Sequence, residues 1–111
     1  MEEIIYDTNQ LIDLQKSGQT SINGFTTIFN LIEFPTALDL KDLSIIYPTA
    51  DDYEESLELS IALLKKGTPM QAIDIMIATI CIRRNLTLST KDDDFSNIAK
   101  IRKTFKLNLI K

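Results

Sequence analysis

The sequence predicts an α/β fold, namely a three-layer α/β/α sandwich with a mainly parallel central sheet. Two observations lead to this prediction. Short apolar segments typical of strands alternate with segments of helical periodicity along the whole chain. The interior strands are continuous apolar runs, as expected when both faces of a sheet are covered by helices. Because the 111 residues contain no repeats, linkers or low-complexity tracts, we expect a single domain over residues 1–111.

Glycine, proline and capping residues mark most of the predicted boundaries. The first half is predicted to contain a strand over 2–7, a helix over 8–18 ended by Gly18, a strand or turn over 20–24, a helix over 25–34 ended by Pro35, and a strand over 43–47. In the second half, a helix capped by Thr49, with Asp52 three residues later, is predicted to end at Gly67, and a helix over 69–84 is predicted to be capped by Thr68. A strand over 86–90, a turn over 92–95, a helix over 96–103 and a strand over 106–110 are predicted to follow.

The composition excludes several kinds of catalytic site. The chain has no histidine, so histidine triads and histidine zinc sites are ruled out. The single cysteine, Cys81, rules out an internal disulfide and is predicted to be a small core residue. Chemistry must therefore come from carboxylates, hydroxyls, lysines or a metal ion held by oxygen ligands. The acidic start and the lack of a long apolar run favour a cytoplasmic protein without a membrane partner.

Four acidic residues stand next to apolar elements rather than on polar helix faces. Asp7 and Asp92 follow predicted strands, and sites in such folds form at the carboxyl ends of strands. Glu33 and Asp74 are single acids within otherwise apolar helical segments. Carboxylates at one edge repel one another unless a cation neutralises them, and oxygen ligands suit Mg²⁺ or Mn²⁺. The pattern therefore predicts metal-assisted hydrolysis of phosphodiester bonds.

The net charge of −4 at first argues against a nucleic-acid partner, because phosphate contacts usually require basic residues. The 16 acidic residues less these four leave 12, which balance the 12 lysines and arginines. The rest of the chain is thus neutral and compatible with a nucleic-acid substrate. The basic residues predicted to contact the substrate are Arg83, Arg84, Lys91, Lys100, Arg102 and Lys103.

Three segments together form a recognisable set of motifs: "IIYDTNQLID", "TTIFNLIEF" and "GTPMQAIDIMIATICIRRNLTLSTKDDDF". In this order, they resemble the PIN domain, in particular the VapC-type ribonuclease toxins, over nearly the whole chain. The resemblance implies a PIN-like fold and activity on single-stranded RNA. It also implies a homodimer and an antitoxin protein that silences the toxin. The implied ligands of Mg²⁺ or Mn²⁺ are Asp7, Glu33, Asp74 and Asp92.

Further polar residues are predicted to support these four acids. Asn30 lies one helical turn before Glu33, on the same face as Thr27, and stands where the family often has a hydroxyl residue. Asp94 is predicted either to cap the short helix that follows it or to support the site. The resemblance implies supporting roles for three more residues, Thr8, Asn9 and Thr90.

Two other functions also fit the residues. A PIN-like binding module would keep the fold and use its acidic edge to dock RNA or a basic partner protein. A phosphate-transfer receiver or phosphatase also places acids at strand ends, but it needs a nucleophilic aspartate and a lysine after a late strand. The endoribonuclease is favoured because a binding module has little reason to keep four carboxylates that repel one another.

Overall fold

The computed structural model describes residues 3–111, so residue 2, where the first strand is predicted to begin, lies outside the described residues. The described strands are β1 (Ile4–Tyr6), β2 (Ser21–Thr27), β3 (Lys41–Ile46), β4 (Thr87–Thr90) and β5 (Lys106–Leu109). The described α-helices are α1 (Thr8–Lys16), α2 (Ile28–Glu33), α3 (Ala50–Lys65), α4 (Ala72–Arg84) and α5 (Ser96–Ile101). Two short 3₁₀ helices cover Pro35–Asp39 and Asp93–Phe95.

The five strands form one sheet in the order β3-β2-β1-β4-β5. Every neighbouring pair is parallel, which confirms the predicted α/β class. From the central β1, the chain adds β2 and β3 on one side and then returns to place β4 and β5 on the other. Such a change of direction opens a crevice at the carboxyl ends of the two strands that flank it, here β1 and β4.

Two apolar clusters cover the two faces of the sheet. Successive side chains of a strand point to opposite faces, and accordingly Ile5 belongs to one cluster while Tyr6 packs against the other. The first cluster joins the sheet to α3, α4 and α5, and the second joins it to α1 and α2. Cys81 is buried in the first cluster, as predicted. Among residues 3–111, none of the helices has the length and apolar character needed to cross a membrane.

The boundary between β2 and α2 differs from the sequence prediction. The predicted helix over 25–34 is wrong in its first part, because β2 continues to Thr27 and pairs with both β1 and β3. The segment 20–24, predicted as strand or turn, contributes to the same strand. Helix α2 begins at Ile28, where the Thr27 hydroxyl accepts a hydrogen bond from the Asn30 backbone N–H. Aromatic and β-branched residues before that cap fit a buried strand better than a helix.

Helix α4 begins at Ala72, later than the predicted start at 69. Thr68, predicted to cap it, instead donates its backbone N–H to the Leu63 carbonyl at 3.0 Å and so completes the end of α3. Gly67 in this turn has a φ of +76°, a conformation that glycine adopts without strain. The prediction that Thr68 caps α4 is therefore wrong, because the same residues close the preceding helix.

Candidate active site

The structure brings the four predicted acids together at the carboxyl ends of β1 and β4. Asp7 follows β1 directly, and its backbone N–H donates to the Ser89 carbonyl of β4 at 3.0 Å. Asp92 lies just beyond β4, and Glu33 is the last residue of α2. Asp74 is in the first turn of α4. The elements on both sides of the sheet thus contribute to a single acidic edge.

Asp7 is the most firmly held of these acids. Its Oδ1 accepts hydrogen bonds from the Thr8 backbone N–H and from Asn30 Nδ2, both at 2.9 Å. Its Oδ2 accepts from Thr90 Oγ1 at 2.7 Å and from Asn9 Nδ2 at 3.4 Å. Three side chains predicted to support the site therefore contact this buried carboxylate directly. Asp7 is fixed in one orientation by donors on both oxygens.

Asn30 links Asp7 to the opposite side of the site. Its side chain is fully buried, and its Oδ1 accepts from the Thr27 backbone N–H at 3.2 Å and from Thr27 Oγ1 at 2.6 Å. This pairing directs Asn30 Nδ2 toward Asp7 and toward Thr8 Oγ1, at 3.0 Å. Thr8 Oγ1 in turn donates to Glu33 Oε1 at 2.9 Å. Asn30 thus reaches Glu33 through Thr8 rather than directly.

Asp92 is positioned by the strand end and by the 3₁₀ turn after it. Its backbone N–H donates to Thr90 Oγ1, and its Oδ1 accepts from the Asp94 backbone N–H, each at 3.0 Å. The side chain of Asp94 does not cap α5, so that predicted role is wrong. The Asp93 side chain instead accepts from Ser96 Oγ at 2.9 Å. Asp94 remains exposed next to the acidic edge.

Asp74 is the acid whose ionisation is opposed most strongly. Its pKa is raised from 3.8 to about 6, mainly by burial and then by four carboxylates in the order Asp92, Asp7, Glu33 and Asp94. A like charge disfavours a second ionised carboxylate when the two are close and partly shielded from water. The negative charges of the other three predicted ligands therefore all oppose the ionisation of Asp74.

This donor set fits a hard divalent cation such as Mg²⁺ or Mn²⁺, which prefers oxygen ligands and neutralises mutual repulsion. Within residues 3–111, no three acidic side chains are already oriented to ligate one ion together. Asp74 and Asp92 are half-buried and Glu33 is exposed, so these side chains have room to rotate toward a cation. Asp7 is held in one orientation, so the side chains of the other three acids would rotate toward it to complete a cation site.

Two of the predicted RNA contacts, Arg83 and Arg84, lie at the opposite end of α4 from Asp74. Their guanidinium groups bond to the buried Asp52 of α3, Arg83 Nη1 to Oδ1 at 2.7 Å and Arg84 Nη2 to Oδ2 at 2.8 Å. Burial alone would raise the pKa of Asp52, but hydrogen bonds from Arg84, the Thr49 backbone and Arg83 hold it well below its usual range. Both arginines therefore join α4 to α3 through ion pairs and do not lie at the acidic edge.

The sequence alone gave no sign of this ion pair. The sequence predicts Asp52 as part of the capping pattern that starts at Thr49, and the structure confirms that capping box. The arginines that it binds are 31 and 32 residues away along the chain. No local signal connects residues at that separation.

Lys91 remains beside the acids. Its backbone N–H donates to Asn9 Oδ1 at 3.1 Å, and its ammonium group forms an ion pair with Asp13 of α1. Gln10 also donates to Asn9 Oδ1, at 3.3 Å. The other predicted basic contacts lie in or just after α5, and they are Lys100, Arg102 and Lys103.

The fold and the site together define an α/β protein with an acidic, cation-compatible edge at the carboxyl ends of its central strands. The chain belongs to the PIN domain family, whose sequence model matches residues 31–101. The matched region contains Glu33, Asp74 and Asp92, and Asp7 lies before it. The predicted family resemblance is thus confirmed at the level of the PIN domain.

Solved structures share this fold at low sequence identity. One is the VapBC2 complex from Rickettsia felis bound to a promoter DNA fragment, with 21% identity, a TM-score of 0.73, and coverage of 96% of this chain and 97% of that chain. A second is the DNA-bound VapBC from Salmonella typhimurium, with 17% identity, a TM-score of 0.75, and coverage of 97% and 98%. A third is a toxin-antitoxin complex from Klebsiella pneumoniae, with 19% identity, a TM-score of 0.67, and coverage of 86% and 92%. The comparison with curated proteins found no match for this sequence.

Proposed function

We propose that this chain is a metal-dependent endoribonuclease that cleaves RNA phosphodiester bonds and acts as the VapC-type toxin of a type II toxin-antitoxin pair. The observation that carries the proposal is the acidic edge, where four carboxylates oppose the ionisation of Asp74. A cluster that costs stability in this way is best explained by a cation that it binds. Membership of the PIN domain family supports a nuclease.

The proposed ligands are Asp7, Glu33, Asp74 and Asp92. Bound there, Mg²⁺ or Mn²⁺ would activate water for attack and stabilise the charge that develops on the leaving oxygen. The protein contributes orientation, since its donors hold both oxygens of Asp7 before substrate arrives. The hydrogen bond from Thr8 keeps the exposed Glu33 facing the same site.

An antitoxin partner is supported by the three similar solved structures, each of which is a complex of a toxin with its antitoxin. In keeping with such a pair, we place the chain in the cytoplasm. A basic segment of the antitoxin would be attracted to the acidic edge by its charge. Antitoxin binding would then block access of RNA to the four acids.

A homodimer is supported by an apolar stripe on the outer face of α3. Tyr53, Leu57, Ile61 and Leu64 are between 48% and 67% exposed. Their spacing along the helix places them on one face. Apolar side chains aligned in this way are typical of a surface that another chain covers.

Cleavage of a panel of single-stranded and structured RNAs, with and without Mn²⁺, tests the proposal. The wild type should cleave single-stranded regions when Mn²⁺ is present and should be inactive in EDTA. Asp74→Asn, which keeps the shape of the side chain, should lose cleavage while remaining folded by circular dichroism. Lys41→Ala, a change to an exposed residue at the amino end of β3, serves as the control and should cleave like the wild type.

Failure to cut any RNA with either metal would contradict the proposal. Binding of RNA or of a basic protein without cleavage would then favour a catalytically weak PIN-like binding module. A cleaving Asp74→Asn variant would instead show that the acidic edge is not the site of the reaction.

A further inference from the structure

A cavity of about 280 Å³ opens between the α3–α4 loop (residues 66–71) and helix α5. It is lined by five residues, Lys66, Thr68, Asn97, Lys100 and Ile101. Asn97 and Lys100 are three apart on α5 and therefore share one face of that helix. The side chains of two lysines, a threonine and an asparagine thus meet at one concave surface. This combination suits a phosphate group.

Both walls of the cavity are continuous along the chain with residues of the acidic edge. The α3–α4 loop leads directly into the first turn of α4, where Asp74 lies. Helix α5 begins immediately after the 3₁₀ turn that Asp92 caps. Since α5 has six residues, its far end is about 9 Å from its start at a rise of 1.5 Å per residue. A nucleic-acid strand that crosses the acids can therefore continue into this cavity.

The two lysines of the cavity are available for a ligand. Lys66 and Lys100 are exposed, and no acidic side chain within residues 3–111 lies at salt-bridge distance from either. Lys91, in contrast, forms an ion pair with Asp13. The strand that crosses the acidic edge experiences repulsion there, so a cationic contact next to the edge is needed to retain it.

We propose that this cavity, which we call the lysine cavity, binds a backbone phosphate of single-stranded RNA next to the position of cleavage. The identity of the polyanion rests on the proposed function, whereas the existence of a phosphate contact rests on the cavity itself. Lys66 and Lys100 hold the phosphate by charge, and the Asn97 amide offers a hydrogen bond. Contacts of this kind fix the path of the strand without reading its sequence.

Binding of a fluorescein-labelled single-stranded RNA, followed by anisotropy over a series of NaCl concentrations, tests this proposal. The parent protein carries Asp7→Asn so that the RNA stays intact. In that background, Lys66→Ala with Lys100→Ala should weaken binding about tenfold. Loss of two phosphate contacts should also reduce the slope of log K against log salt by about 1.4. Lys66→Arg with Lys100→Arg should retain the affinity of the parent.

The matched control is Lys41→Ala with Lys106→Ala, which removes the same charge at the amino ends of β3 and β5. These strand ends are at the edge of the sheet opposite the acids, so the control should bind RNA within about twofold of the parent. An equal loss in the control and the lysine-cavity variant would overturn the proposal, because it would reflect net charge. Unchanged binding in the lysine-cavity variant, or no RNA binding by the parent, would overturn it as well.

A cleavage assay separates failure of this proposal from failure of the proposed function. If the protein with intact acids binds RNA through the two lysines but cleaves none with Mn²⁺, the nuclease proposal fails and the lysine cavity stands. If it cleaves RNA and the Lys66→Ala, Lys100→Ala variant has an unchanged KM, the lysine cavity is wrong and the nuclease stands.

Discussion

Asp74 is half-buried at the start of an apolar helix, and its ionisation is opposed by burial and by four nearby carboxylates. Its pKa is about 6 in the folded chain and 3.8 when the chain is unfolded. The folded state therefore binds more protons than the unfolded state between these values. By linkage, the stabilisation that protonated Asp74 provides is complete below about pH 4 and is lost as the pH rises through 6.

Replacing Asp74 with asparagine should therefore stabilise the metal-free protein at neutral pH. The gain should be on the order of 1 kcal/mol, since partial exposure screens the repulsion. It should vanish near pH 4, where the wild-type carboxyl is protonated. Urea unfolding at pH 4 and pH 7.5, with metal removed by EDTA, measures the difference.

Mn²⁺ should reverse the order of stability, because it binds the ionised wild-type site and stabilises the folded state by mass action. Asp51→Asn is the matched control, since that exposed side chain lies in the first turn of α3, beside Arg83 and away from the acidic edge. A variant at position 74 that is no more stable than the wild type at pH 7.5 would show that the carboxylates do not repel one another.

Asn30 is the second residue on which the site depends, because its amide connects Thr27 with Asp7 and Thr8. Asn30→Ala should lower Mn²⁺ affinity by about 10- to 100-fold, as is usual for residues that orient metal ligands. Asn30→Ser, which restores one donor, should recover part of that affinity. Calorimetric titration with Mn²⁺ gives the affinities, and thermal melting confirms folding. Wild-type affinity in the alanine variant would exclude a positioning role.

At the scale of elements, the ion pairs of Asp52 with Arg83 and Arg84 join the start of α3 to the end of α4. Asp52→Asn should lower the free energy of unfolding by about 2 kcal/mol at pH 7, because charge-assisted hydrogen bonds are lost in a buried position. RNA cleavage should be unaffected below the melting temperature, since the ion pairs lie away from the acidic edge. Chemical denaturation and an RNA cleavage assay at 25 °C measure the two effects.

The contribution of Asp52 to the free energy of unfolding depends on pH in the opposite direction to that of Asp74. The pKa of Asp52 is lowered by folding, so its contribution is present above the unfolded value of 3.8 and is lost as the pH falls below it. The difference between wild type and Asp52→Asn should consequently shrink between pH 5 and pH 2. A difference that stays constant over this range would point to altered helix capping rather than to a lost charge.

Local sequence signals predicted a helix correctly where its own capping residues determine its start and its end. Thr49 with Asp52 marked the start of α3, and Gly67 marked its end, as the structure shows. The boundary at Thr27 was missed because a strand and a helix follow each other without a turn. The start of α4 was missed because the residues around Thr68 close one helix before the next begins. Pairing with β1 and β3 decided the first boundary, and the bond from the Thr68 N–H to the Leu63 carbonyl decided the second.

At the scale of the whole molecule, the fold class followed from alternating elements and apolar strands, and the acidic edge followed from four acids beside such elements. The sheet order could not be predicted, because nothing local tells the chain to place β4 next to β1. The ion pairs of Asp52 and the grouping of Lys66 with Lys100 in the lysine cavity could not be predicted either. Both join segments that are distant in sequence, and their residues are ordinary surface types when taken alone.

The apolar stripe on α3 makes a prediction about assembly. Leu57 is 64% exposed at the middle of this stripe. Leu57→Glu should therefore shift a homodimer to monomers without loss of secondary structure, because a charge at an apolar contact must be desolvated. Light scattering coupled to size-exclusion chromatography measures the mass, with the exposed Glu58→Gln as the control. A wild type that is monomeric at high concentration would contradict the proposed homodimer.

The measurement that tests the central claim most directly is calorimetric titration of the wild type and of Asp7→Asn with Mn²⁺ at pH 7.5. If the four acids form a cation site, the wild type should bind Mn²⁺ in a saturable manner. Asp7→Asn, which replaces the most firmly held ligand with a neutral amide of the same shape, should bind at least about tenfold more weakly. A wild type that does not bind Mn²⁺, or a variant that binds it equally well, would contradict the account.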